Sequence, residues 1–127
     1  MTADRLLLKG CRVLIVEDEY LLAMEFAQAL RSHGILVVGP VGTLADAEQK
    51  ILQGHYDVVA LDIKLNDDTT YGIAADLKRQ NIPFFFVTGY DAASIPAAFA
   101  DVLVLEKPCD FSELFQHLQA MWPLQAA

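Results

Sequence analysis

"VVALDIKLNDD", residues 58 to 68, decides the fold, because an apolar run of strand type ends abruptly in a carboxylate, Asp62. Four apolar residues followed by an acid and a polar loop describe a strand covered on both faces and its exit from the sheet. Working outward, four more such runs punctuate the chain: "RVLIV" 12–16, "LVV" 36–38, "FFFV" 84–87 and "VLVL" 102–105. All are continuous rather than alternating, the pattern of strands in a parallel sheet.

Helical periodicity fills the gaps. Residues 20–32 place Leu22, Phe26 and Leu30 on one stripe, with Gly34 as the expected C-terminal cap. Thr43 opens a second helix with Asp46 three residues on, and Gly54 closes it. A third covers roughly 71–80 and must end before Ile82-Pro83. The last begins at "CDFSELF", with Asp110 and Glu113 spaced for capping, and runs to Trp122. Between 91 and 100, "DAASIPAAFA" reads as a weak fourth helix that Pro96 keeps short, shifted or mobile. Strand and helix alternating five times imply an α/β fold, (βα)5 with right-handed crossovers, expected in the flavodoxin-like strand order 2-1-3-4-5.

The 127 residues, 14.0 kDa, are expected to form one domain over 1–127, with its core between about 12 and 122. Seventeen acids against nine Lys plus Arg give a net charge of −8, which repels phosphate backbones and argues against nucleic-acid binding. The apolar runs near the N-terminus are broken by Lys9 and Arg12, so neither signal peptide nor membrane span is expected and a cytoplasmic location follows. Cys11 and Cys109 are too few for a disulfide framework and lack metal-ligand spacing.

Ligand sites in such sheets lie outside the carboxyl ends of the strands. There the chain places Glu17, Asp18 and Glu19 after strand one, Asp62 after strand three, Thr88 after strand four and Lys107 after strand five. With strands one and three adjacent, Glu17, Asp18 and Asp62 converge in one cleft, with Thr88 and Lys107 on its far wall. Each alone is ordinarily a loop, cap or surface residue. Together they make a constellation. Clustered carboxylates repel unless a cation joins them. Hard oxygen donors in a small cleft suit Mg2+. A carboxylate is also a covalent nucleophile toward phosphoryl groups, so the site has the parts for an aspartyl phosphate. His33, His55 and His117 lie away from this cleft and read as solvated or capping residues.

At this point the sequence resembles the receiver domains of two-component response regulators, from about Arg12 to Trp122. The resemblance implies that Asp62 accepts a phosphoryl group from a histidine kinase or a histidine phosphotransfer protein. It implies Mg2+ on Asp18, Asp62 and the backbone carbonyl of Lys64, with Glu17 acting through a metal-bound water. Thr88 and Lys107 take the phosphoryl-sensing and phosphoryl-binding roles, and the Lys107–Pro108 bond is expected to be cis.

Departures from the family pattern carry information. Leu65 and Asn66 stand where many receivers have Met-Pro, and the loop "NDDTTYG" to Gly72 is about two residues longer than usual. Val104 stands where receivers typically carry the Tyr or Phe that swings inward on phosphorylation. "FFVTGYD" resembles instead a subgroup with a Phe-Ala-Thr-Gly-type motif, which makes Tyr90 the candidate switch aromatic and sets Tyr90 and Lys64 on opposite rims. Output is expected through an unknown protein target on the face of the fourth helix, fifth strand and fifth helix, or through phosphate shuttling. A homodimer stays open.

Two rival readings share part of this pattern. An Mg2+-dependent phosphatase with an aspartyl nucleophile often carries a second Asp two residues later; here Lys64 stands there, and metabolic turnover is not expected. A flavodoxin needs a Gly- or Ser-rich phosphate loop after strand one, and "EDEYLL" would repel a phosphate.

Overall fold

In the computed structural model, which describes residues 8–89 and 94–122, the five apolar runs form one parallel sheet. Its strands are β1 (Arg12–Val16), β2 (Leu36–Val41), β3 (Val58–Asp62), β6 (Phe84–Thr88) and β7 (Val104–Glu106), and a small separate hairpin supplies β4 (Lys64–Leu65) and β5 (Asp68–Thr69). The order β2-β1-β3-β6-β7 is the expected 2-1-3-4-5, and every neighbouring pair runs parallel.

Strand geometry then divides the core. Successive side chains point to opposite faces, so Val13, Ile15, Val58, Ala60, Phe85 and Val87 join one buried cluster with Phe26, Leu30, Leu114 and Phe115. Leu14, Val16, Val59, Leu61, Phe84 and Phe86 join the other with Ala47, Ile73, Ala74 and Leu77. The helices α1 (Tyr20–Arg31) and α4 (Phe111–Met121) therefore cover one face, and α2 (Leu44–Gln53) and α3 (Tyr71–Arg79) the other.

Local signals set the helix starts. The Thr43 hydroxyl accepts from the Asp46 N–H at 3.1 Å, and the Asp110 carboxylate accepts from Ser112 and Glu113 N–H groups at 2.9 and 3.3 Å.

Four expectations need correction. β2 is not covered on both faces: it is a sheet edge, and Leu36 is 56% exposed. It also continues past Val38 to Val41 through a cis Gly39–Pro40 bond, which an edge strand tolerates because one side of its ladder is unpaired. Between 94 and 100 the described residues hold no α-helix but include a short 3-10 turn, Ala97–Phe99, after Pro96 in extended conformation. Phe99 pins that turn against Tyr71 and Phe86, with ring centroids 5.8 and 5.6 Å apart, and Lys78 Nζ holds it from α3 through Ala98 C=O and Asp101, both at 2.6 Å. Finally, His33 is half-buried and stacks on Phe115 at 3.5 Å rather than standing in solvent.

The Asp110 cap starts the helix directly after the Lys107–Pro108 turn. Asp110→Ala is expected to lower unfolding stability by about 1 kcal/mol, read as a shift of the urea midpoint with the slope unchanged; an unmoved midpoint would mean that solvent replaces the cap at no cost.

Candidate functional site

Asp62 ends β3 in register with Val87 of β6, and is 6% exposed. Glu17 continues the inward direction of Val13 and Ile15 and is equally enclosed at 9%, while Asp18 turns toward solvent. The Glu17 N–H donates to Val41 C=O at 2.9 Å, which ties the first acid to the end of β2. Gly42 follows at close quarters: a Cβ there would lie 3.2 Å from the Asp18 Cα, so a larger residue would press on the acidic pair.

Carboxylate oxygens of Glu17, Asp18 and Asp62 lie within 4.8 Å of one another. Lys107, expected on the far wall, instead reaches into this group. Its ammonium donates to Glu17 Oε1 at 2.6 Å and to Asp62 Oδ2 at 3.0 Å, with Glu19 Oε1 at 4.0 Å. The Lys107–Pro108 bond is cis. Thr88 closes β6 at 1% exposure, and with Gly89, Lys64 and Asn66 it lines an open cleft of about 470 Å³ above Asp62 and Lys107. Tyr90 lies outside the described residues.

Three features were not legible in the sequence. The Asn66 N–H donates to Asp18 Oδ2 at 2.9 Å, Glu19 N–H donates to Glu17 Oε2 at 3.0 Å, and the Thr70 hydroxyl donates to the Asp62 carbonyl at 2.8 Å. The first arises because the long loop after Asp62 folds into the β4–β5 hairpin, with Asn66 left-handed (φ 56°) at its turn. Asn is suited to that conformation, but nothing in its local sequence announces Asp18 as a partner.

Electrostatics separate the members. Burial, then the charge of Glu17, pushes the Asp62 carboxyl up to about 6, although Lys107 and the Lys64 N–H pull the other way. Lys107 is raised: burial alone would depress it, but its bonds to Glu17 and Asp62 outweigh that. One ammonium therefore does not fully offset the enclosed acids. A hard divalent cation fits this donor set, with Glu17, Asp18 and Asp62 as oxygen sources.

Residues 13–119 match the response regulator receiver domain family. The chain belongs to that family. This receiver domain is 34% identical over 112 residues to the sensory transduction protein LytT of Bacillus cereus, covering 85% of the chain and 46% of LytT. It thus spans about half the length of the curated relatives it matches. Among solved structures it resembles SdrG from Sphingomonas melonis Fr1, at 34% identity and a TM-score of 0.78, covering 88% of this chain and 96% of that one. It also resembles the BeF3-activated conformation of SdrG, at 34% identity and a TM-score of 0.73, covering 87% and 95%. The chain is accordingly a receiver of two-component signalling, and no described helix is long and apolar enough to cross a membrane.

The raised carboxyl makes a stability prediction for metal-free protein. Unfolded Asp62 ionises near 3.8 while folded Asp62 holds its proton to about 6. Stability from this group is thus fully present below pH 4 and is lost as pH rises through about 6. Asp62→Asn removes the loss, and in EDTA at pH 7 it is expected to be more stable than wild type by roughly 1–3 kcal/mol. Urea unfolding of both proteins at pH 4 and pH 7 checks this; equal stability at pH 7 would refute it.

Proposed function

We propose that this receiver accepts a phosphoryl group on Asp62 from a phosphohistidine donor, a histidine kinase or histidine phosphotransfer protein, and thereby changes a protein-binding face. The observation that carries this reading is the enclosed Lys107 ammonium 3.0 Å from the Asp62 carboxylate inside an acid cluster at the carboxyl edge of the sheet.

Asp62 Oδ attacks phosphorus, the P–N bond of the donor breaks, and its electron pair returns to the imidazole. Burial at the end of a strand paired on both sides holds the nucleophile in one orientation. In this reading Lys107, already at Asp62, grips a phosphoryl oxygen, and Thr88, lining the cleft at the end of β6, hydrogen-bonds another. Mg2+, held by Asp18, Asp62 and the Lys64 carbonyl with Glu17 acting through water, would neutralise charge on the transferring group. Tyr20 and Leu21, in the first turn of α1 directly after the acidic run, are 71% and 81% exposed and give a donor protein apolar surface to rest on.

Output is assigned to a protein target on the face made by the 94–101 segment, β7 and α4. With Val104 half-buried in place of the usual switch ring, Tyr90 takes that role in this reading. The switch works in the cytoplasm, as a monomer or homodimer, and changes only its own phosphorylation state rather than turning over a metabolite. The rival phosphatase reading has no support in Lys64, which cannot serve as the second acid.

Intact-mass spectrometry after incubation with acetyl phosphate tests the acceptor. One phosphoryl adduct is expected with Mg2+, with little in EDTA and none on Asp62→Asn; an adduct of equal occupancy on that variant would move the acceptor elsewhere. Tyr90→Ala is expected to alter the phosphorylation-dependent NMR spectrum while leaving the Mg2+ dissociation constant within about twofold, a difference under about 0.5 kcal/mol. Unchanged phosphorylation shifts in that variant would remove Tyr90 from the switch.

A further inference from the structure

Thr70 is fully buried and stands at the N-cap of α3, yet its side chain makes no cap bond to that helix. At the equivalent starts of α2 and α4, Thr43 and Asp110 accept from helix N–H groups in the ordinary way. The Thr70 hydroxyl is turned back toward the sheet. It donates to the carbonyl of Asp62 at 2.8 Å and lies 3.3 Å from that of Ile63, while the Thr70 N–H donates to Ile63 C=O at 2.8 Å. A cap that would favour α3 is forgone for a bond to the backbone of the acidic residue.

The surroundings make this bond consequential. β3 ends at Asp62, and the chain must turn there into the hairpin whose first residue is Lys64. Ile63 and Leu65 are buried on either side of Lys64, and Lys64 pairs with Thr69, next to Thr70. Thr70 therefore clamps the peptide groups on both sides of Ile63, the segment that carries the Asp62 carboxylate and leads to the Lys64 carbonyl.

We propose that Thr70 is a positioning residue: its hydroxyl fixes the Asp62–Lys64 backbone so that the Asp62 carboxylate and the Lys64 carbonyl face the same cation. This rests on the reading of Asp62 as phosphoacceptor beside Mg2+. The hydroxyl touches neither phosphoryl group nor metal, and it acts through the main chain.

The test compares Thr70→Val, which keeps the shape and removes the hydroxyl, with Thr70→Ser, which keeps the hydroxyl. Calorimetric titration with Mg2+ and the single-turnover rate with acetyl phosphate are measured on each, with circular dichroism and thermal melts to establish folding. Loss of one buried hydrogen bond predicts an Mg2+ dissociation constant about fivefold higher in Thr70→Val, a slower phosphorylation rate at saturating Mg2+, and recovery of both toward wild type in Thr70→Ser. A purely structural role would lower the melting temperature and leave the Mg2+ dissociation constant unmoved, and that result would overturn the proposal. Should Thr70→Val not fold, Thr70→Ala against Thr70→Ser carries the same comparison. If wild type itself binds no Mg2+ and takes up no phosphoryl group, the phosphoacceptor reading falls and this one with it; if wild type does both and Thr70→Val matches it, only the positioning role falls.

Discussion

Enclosed negative charge at the carboxyl edge of the sheet is the constraint around which the rest is arranged. Two buried carboxylates, Glu17 and Asp62, share one ammonium, with Asp18 alongside. Removing a carboxylate from water is costly, and one Lys does not fully offset two acids, which is why the Asp62 carboxyl stays well above the ordinary range. A site in that condition gains from added positive charge such as a divalent cation. The fold holds the site poised rather than satisfied.

Holding like charges together requires a stiff frame. β1 and β3 are neighbours in register over four residue pairs, and both strands are buried along nearly their whole length. The groups at their ends are fixed as well: the Glu17 N–H by Val41 C=O, the Asp18 carboxylate by the Asn66 N–H, and the Asp62 carbonyl by the Thr70 hydroxyl. Each tie has a main-chain group as donor or acceptor.

The opposite edge is arranged differently. Where the sequence pattern allows a fourth helix, the described residues hold a 3-10 turn kept in place by one ring, Phe99, and one lysine, Lys78. The Lys78–Asp101 pair is largely exposed and so contributes little to stability.

Local chemistry determined much of this protein. The strand runs, the caps at Thr43 and Asp110, the breaks at Gly34 and Gly54, and the acid closing β3 all depend on residues within a few positions of one another, and each was legible in the sequence. The meeting of Glu17, Asp18 and Asp62 followed once those elements were set in the flavodoxin-like strand order, which places strands one and three side by side. Other features needed partners far along the chain. Lys107 and Asp62 stand 45 residues apart and Asn66 and Asp18 stand 48 apart, so neither bond has a local signal. β2 passes through Pro40 because it lies at an edge, and Thr70 abandons its own helix because folding brings a carbonyl of β3 within reach. Burial itself is a tertiary quantity. The sequence placed an acid at the tip of a strand, and only the packed sheet around it raised that acid's affinity for a proton.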